Sequence, residues 1–306
     1  MNFYEHQRRN RRYTALLIGA FVLLFAVLGS AVDASVTGFA SGGADLPYLT
    51  LTALVVSAAV ASLGYVRGAD WVLASLLAEP LRPDDPEHRE LADIASEMAL
   101  AAGLPRPRLF VIPDPSPNAL ATGRDPAHAS IAVTAGALAL LDREETQGVV
   151  AHEMAHIAGR DTQVATIVAV LFGGVVMLAD WAQRSLYVCR RNARPTPLLP
   201  AAAMLLVVVS PLLSRVLAMT VSRRREYQAD ATAVELTRNP EGLARALEKI
   251  AASHFPLRTA SRGTAHLFIV SPLRRRADER DGLWASLLGT HPPIAQRIAL
   301  LRGTAR

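Results

Sequence analysis

Four stretches of this chain contain no charged side chain: residues 14–32, 47–66, 163–179 and 195–214, which are 19, 20, 17 and 20 residues long. No other feature limits the possible folds as strongly. A bilayer core takes roughly 20 helical residues, so the first two stretches are long enough to span. The third lies at the short end of the spanning range. The fourth contains Pro195, Pro197, Pro200 and Pro211, and Pro211 should kink it. For this second pair a buried or re-entrant hairpin is the alternative. The 306-residue chain is 51% hydrophobic and 19% charged, too apolar for a disordered protein. Tyr13, Tyr48, Tyr65, Trp71 and Trp181 fall at or just beyond the ends of the stretches, where an interfacial belt would place them.

The basic lead from Arg8 to Arg12 resembles the start of a signal peptide. The apolar run behind it is longer than a usual signal core and a second span follows closely, so an uncleaved anchor is expected. The positive-inside rule then puts residues 1–13, with four Arg against Glu5, in the cytoplasm. The loop 33–46 has Asp33 and Asp45 and no basic residue, which fits the outside. Residues 67–162 return to the cytoplasm, and 215–306 join them if the second pair spans. Arg184, Arg190, Arg191 and Arg194 oppose this arrangement, because it places their loop outside.

Charge and cysteine content exclude several function classes. The formal charge of +5 divides into −7 over 67–162 and +8 over 215–306, two blocks that nearly cancel if folded together. A single nucleic-acid-binding patch is therefore not expected, and no nucleic-acid partner. Cys189 is the only cysteine, so an internal disulfide is excluded. Any metal site must use His, Asp and Glu.

The chain thus divides into an N-terminal transmembrane hairpin (1–66), the first part of a soluble domain (67–162), a second transmembrane hairpin (163–214) and the remainder of the soluble domain (215–306). Pro86 followed by EHRELADIASEMALAAG predicts a helix, ended by Gly103 and Pro105. Residues 109–112 predict a strand. Residues 118–122 and 130–134 predict a hairpin around Gly123-Arg124-Asp125-Pro126. A helix should begin near Asp142, with Glu144 and Glu145 suited to its N-terminal dipole. Residues 220–237 and 241–252 predict helices, 253–290 reads as loop-rich, and a last helix follows Pro292-Pro293 with Ile294, Ile298 and Leu301 on one face. The expected fold is mainly α with a small sheet: four transmembrane helices plus an α+β soluble domain.

The helix after Asp142 carries His152-Glu153-Met154-Ala155-His156. Residues i and i+4 share a helical face, so both imidazoles can reach one Zn²⁺, while Glu153 is offset and can hold the attacking water. An ordinary helix with surface histidines has the same pattern. A third ligand decides between them. One known spacing would require a ligand at Thr162; Asp161 misses that register by one. Another requires a distant Glu on a second helix, and Glu226 offers one. Asp230, one turn on, can accept the free ring N–H of a ligand histidine. The competing reading is a solvated acidic pair answering Arg223, Arg224 and Arg225.

The chain resembles the HtpX-type membrane zinc metalloproteases, gluzincin relatives of the CAAX prenyl proteases. The likeness rests on PSPNALATGRDP at 115–126, AVTAGAL at 132–138, HEMAHIAGRD at 152–161, SRRREYQADATAVELTRNPEGLARALEKI at 222–250, AHLFIVSPL at 265–273 and HPPIAQRI at 291–298. Asp125 departs from it, since many members carry Asn there, and 274–289 matches poorly. The resemblance implies one zinc per chain held by His152, His156 and Glu226, with Glu153 as general base and acid. It implies a gluzincin-like zinc domain on the cytoplasmic side of the inner (plasma) membrane, and degradation of damaged membrane proteins. Its expected partners are polypeptide substrates and the lipid bilayer. The resemblance also makes Asn118 part of an edge strand that grips substrate backbone; a turn cap is the plainer role. A transition-state donor role for His291 stands beside a structural role at a helix entry. The rival functions are a CAAX-type processing protease, disfavoured by too few spans, and a catalytically silent membrane scaffold or sensor, disfavoured by an intact Glu153. An intramembrane site is disfavoured by Asp142, Arg143, Glu144 and Glu145, which would be costly in lipid.

Overall fold

A computed structural model of the chain describes residues 3–37, 46–82, 85–171, 173, 175, 223–253, 255, 257–261, 263–270, 272 and 292–304. Trp181, Cys189, His291, the stretch 195–214 and residues 172, 174 and 176–179 of the third stretch lie outside these residues. The elements run α1 (Phe3–Thr37), α2 (Tyr48–Ser75), β1 (Glu79–Pro80), α3 (Pro86–Ala102), β2 (Arg108–Ile112), β3 (Ala119–Gly123), β4 (Ala129–Thr134), α4 (Ala135–Leu140), α5 (Arg143–Gly159), α6 (Asp161–Leu171), α7 (Arg223–Thr237), α8 (Pro240–Ala252) and α9 (Ile294–Thr304). This is the helical chain with a small sheet that the sequence predicts.

The first two apolar stretches form the cores of α1 and α2, and among the described residues these two helices are long and apolar enough to cross a membrane. Both outrun their stretches. α1 already includes the arginine-rich lead, and α2 continues past Val66 to Ser75. Absence of charge marks where a helix can sit in lipid; the helix itself ends only where its backbone turns. Asp33 closes the hairpin by capping the first turn of α2. It accepts from the Leu49 and Thr50 backbone N–H groups at 3.1 and 2.8 Å and from the Thr50 hydroxyl at 2.7 Å. Leu16, Leu23, Val27, Val55 and Leu63 point outward.

α2 turns small residues inward: Ser57, Ala61, Gly64 and Gly68. Against them lies α6, which opens the third apolar stretch. A Cβ on Gly64 would sit 2.9 Å from Val170, and one on Gly68 3.1 Å from Thr166. Only small residues allow helices to approach so closely. Leu17 and Phe21 of α1 join Ala61, Val164, Ile167, Val168 and Leu171 in the same apolar cluster.

The sheet has the order β1-β2-β4-β3, with β2 and β4 parallel and the other pairs antiparallel. β3 and β4 are the predicted hairpin, shifted by about one residue. Alternation along the strands gives the sheet two different neighbours. Leu109, Ala119, Ala121, Ile131 and Val133 face α3 and α5 in the main core. Ile112, Leu120 and Ala132 face Val72, Leu73 and Leu76 at the end of α2, together with Ala169 of α6. The sheet thus lies between the foot of the membrane hairpin and the helix that carries the His-Glu-x-x-His motif.

Candidate metal centre

α5 is fixed at both ends. Asp142 caps it, accepting from the Glu145 N–H at 2.9 Å, while the Glu145 carboxylate accepts from the Asp142 N–H at 2.9 Å. Glu145 is buried beside the Lys249 ammonium at 2.6 Å, a partner that the dipole argument alone does not supply. α8 crosses α5 at backbone contact: a Cβ on Gly148 would lie 2.8 Å from the Leu243 nitrogen. The helix ends at Arg160, in the left-handed region at φ 59°.

α5 and α7 bring His152, His156 and Glu226 together, with one ligand atom from each within 4.8 Å of the others. The two Nε2 atoms are 3.2 Å apart. Glu226 Oε1 lies 3.6 Å from His156 Nε2 and Oε2 lies 3.9 Å from His152 Nε2. Three ligands about 2.0–2.1 Å from one tetrahedral ion stand about 3.4 Å apart, and Zn²⁺ takes this N,N,O donor set. The residues present therefore fit zinc. His152 and Glu226 are buried, which overturns both the surface-histidine and the solvated-pair alternatives.

Each imidazole turns its other nitrogen to a carboxylate. His152 Nδ1 lies 3.0 Å from Asp230 Oδ1, as the spacing of Glu226 and Asp230 predicts. His156 Nδ1 lies 3.3 Å from Asp161 Oδ2. An ionised carboxylate only accepts, so Nδ1 donates in both pairs, and in the neutral tautomer the Nε2 lone pairs face the triangle. Asp161 stands outside that triangle, in agreement with its register, but behind a histidine, which register alone does not reveal.

Burial and charge separate the titrations. Burial drives His152 down to about 4, aided by the Arg297 charge and opposed by Asp230. Burial opposes the charge on His156 too, but the hydrogen bond to Asp161 and the carboxylates of Glu226 and Glu153 carry it up to about 9. Burial also raises Glu153, to about 7, with Glu226 adding to the rise and His156 and Arg297 opposing it. Burial works against the ionised form of Asp161, yet His156, His6 and Arg225 hold it well below the usual carboxylate range. Asp230, likewise buried, is held at about 2 by Arg297 and His152.

Arg297 is absent from the expected set, although it is 1% exposed in the middle of the site. Its Nε and Nη2 donate to Asp230 at 2.8 and 2.6 Å, and its Nη1 donates to the Ile269 carbonyl at 3.1 Å. Its Nη2 lies 3.4 Å from both ring nitrogens of His152, so it stands over the ring. The signal is present in the sequence: Arg297 lies on the apolar face formed by Ile294, Ile298 and Leu301.

Asn118 is fully buried. Its Nδ2 donates to the Val270 carbonyl at 2.8 Å, and its Oδ1 accepts from the Ala119 and Val270 N–H groups at 3.1 and 3.3 Å. β3 is the edge strand, and its outer side meets the chain itself. The Ile269 N–H donates to the Ala119 carbonyl at 3.0 Å, Leu120 bridges Phe268, Ala121 N–H faces Glu153, and Gly123 N–H donates to Thr166 Oγ1 at 3.0 Å. The transition-state role considered for His291 falls outside the described residues.

Residues 85–305 match the model of peptidase family M48. The relatives include a protease HtpX homolog of Dictyoglomus thermophilum, 38% identical over 98% of this chain and 94% of the relative. Those of Limosilactobacillus fermentum and Lactiplantibacillus plantarum are 36% and 38% identical, covering 97% and 98% of this chain and 98% and 99% of theirs. The crystal structure of S. mikatae Ste24p aligns with a TM-score of 0.47 at 18% identity, over 96% of this chain and 66% of that one.

Proposed function

The chain belongs to peptidase family M48, and from that premise we propose that it is a zinc-dependent membrane endopeptidase that removes damaged or misfolded membrane proteins. One observation carries the reading: two imidazole nitrogens and a carboxylate converge within 4.8 Å, with Glu153 buried beside them. His152, His156 and Glu226 would hold the metal, one ion per chain, and Asp230 and Asp161 would orient the two imidazoles. Zinc, when bound, supplies a Lewis acid that polarises a carbonyl and acidifies water.

Glu153 does the proton work. Burial favours the protonated form of its carboxyl, which suits a group that must hold a proton between taking it and returning it. It takes a proton from the attacking water as the C–O bond forms at the scissile carbonyl. It returns that proton to the nitrogen as the C–N bond breaks. The Ala121 N–H orients its carboxylate.

The proposed setting is the inner membrane, crossed several times, with the zinc domain in the cytoplasm. The arginines at the start of α1, ahead of its uncharged core, and the lack of basic residues in 33–46 support that side. Four spans remain part of the proposal; the packing of α6 onto α2 supports a third helix in the hairpin layer.

The test is Glu153→Gln against Glu226→Ala in the purified full-length protein. Glu153→Gln should keep about one zinc per chain and lose casein cleavage; Glu226→Ala should lose the metal. Zinc loss in Glu153→Gln, with retention in Glu226→Ala, would overturn the assignment.

A further inference from the structure

We propose that the chain holds an anionic phospholipid by its phosphate in a cavity of 740 Å³ where α1, α2, the β3–β4 turn and the α5–α6 junction meet. Arg11 and Arg160 supply two guanidinium groups to the lining. Arg160 occupies a left-handed position, φ 59°, where glycine serves a helix end best.

Two residues of the cavity wall also carry buried polar atoms without partners behind the surface. Among the described residues, the buried Nε of Arg160 has no acceptor and the buried Oε1 of Gln163 has no donor. Gln163, 4% exposed, lines the same cavity. A phosphodiester supplies acceptors suited to the arginines of the lining, Arg11 and Arg160. The acidic member of the lining, Asp125, is already answered by Arg124 at 3.5 Å and His128 at 2.7 Å.

Position in the hairpin selects a lipid over a free anion. Asp33 of α1 meets Leu49 and Thr50 of α2. Equal rises from that pairing along antiparallel helices bring Ile18 level with Tyr65. Both line the cavity, with Ala15 and Thr14 one turn lower and Arg11 below them. The uncharged stretches begin at Thr14 and end at Val66. The cavity therefore straddles the polar boundary of the proposed spans, with guanidinium groups on the water side and apolar wall on the other. A headgroup with its attached acyl chain has that shape and polarity; a free anion has only half of it.

The inference rests on α1 and α2 being spans, which resistance of the membrane-bound chain to alkaline wash reports separately. The experiment uses the full chain in phosphatidylcholine vesicles containing spin-labelled phosphatidylglycerol, with spin-labelled phosphatidylcholine as reference. Each basic group near a membrane surface is worth about fivefold in anionic-lipid affinity, so the wild type should favour phosphatidylglycerol by roughly 25-fold. Arg11→Gln with Arg160→Gly should abolish that preference, and lysine at both positions should restore part of it. Arg160→Gly suits the left-handed backbone, so the helix end survives it. Equal retention of the two lipids by the wild type, or an unchanged preference in the double variant, would overturn the site. Displacement of the labelled lipid by inorganic phosphate would reassign it to a free anion. Release of the wild-type chain by alkaline wash would overturn the spans and the site together.

Discussion

His152 is held from inside the peptidase core, whereas His156 is held from the membrane side. Behind His152 stand Asp230 of α7 and Arg297 of α9, all three buried. Behind His156 stands Asp161, just past the end of α5, which also meets His6 at 3.1 Å, Arg225 at 3.3 Å and the Asn10 amide at 2.9 Å. His6 and Asn10 belong to α1, and Asn10 also donates to the Gly159 carbonyl at 3.0 Å. The metal helix is therefore tied to the first membrane helix at the point where His156 is oriented. The two supports differ electrically as well. Burial dominates at His152 and lowers it, while carboxylates dominate at His156 and raise it. One imidazole is oriented from within the α5, α7 and α9 core, and the other through Asp161, which α1 also contacts.

The largest effect is expected on the core side. Arg297→Met leaves Asp230 buried without its cation and should cost about 3–5 kcal/mol of stability, read by thermal or denaturant unfolding. A variant as stable as the wild type would mean that α9 does not support His152. Arg297→Met with Asp230→Asn should recover part of the loss, since the double change removes both charges.

Smaller effects belong to metal affinity, measured by chelator competition. Asp230→Asn should weaken zinc binding by about 10–100-fold, the usual cost of losing a partner behind a ligand histidine. Asp161→Asn should weaken it by about 10-fold, the low end of that range, because His156 is less enclosed. A larger loss for Asp161→Asn would reverse the comparison and make the membrane-side support dominant.

Asn10→Ala should have the smallest effect. A hydrogen bond to a charged group contributes about 1.5 kcal/mol or somewhat more, shared here with His6 and Arg225, so the expected loss in zinc affinity is only a few-fold. That loss should vanish in an Asp161→Asn background, because the two residues act through one contact. Persistence of the full effect there would show that Asn10 acts through Gly159 instead.

Much of this fold is legible in the chain because its signals are local. Asp142 and Glu145 announce the start of α5, Gly103 and Pro105 the end of α3, and Pro240 the start of α8. Uncharged length marks α1 and α2. The His-Glu-x-x-His spacing places two imidazoles on one face, and Glu226 and Asp230 repeat that spacing on α7. Asp161 shows the limit of such reasoning. Its register excludes it as a third ligand and says nothing of its place behind His156. Arg297 shows another limit, since a charge on an apolar face is visible but its partners are not. The coverage of β3 by Phe268 to Val270 comes from a region read only as loop.

Taken alone, the spacing of the chain put His152 and His156 on one helical face and marked membrane-length uncharged segments, because covalent connection fixes distances within one element. The joining of Glu226 to that pair, with Glu153 as the expected proton carrier, came with the family resemblance. The tertiary structure decided which charges stand behind which imidazole, which strand edge is already paired, and which membrane helix touches the metal helix. Those contacts join residues 145 positions apart at Arg297 and His152, and 151 apart at Asn10 and Asp161. Their geometry depends on how whole helices cross, at places such as Gly148 and Gly64 where missing side chains let backbones meet. No local pattern encodes a crossing, because its position depends on both surfaces at once.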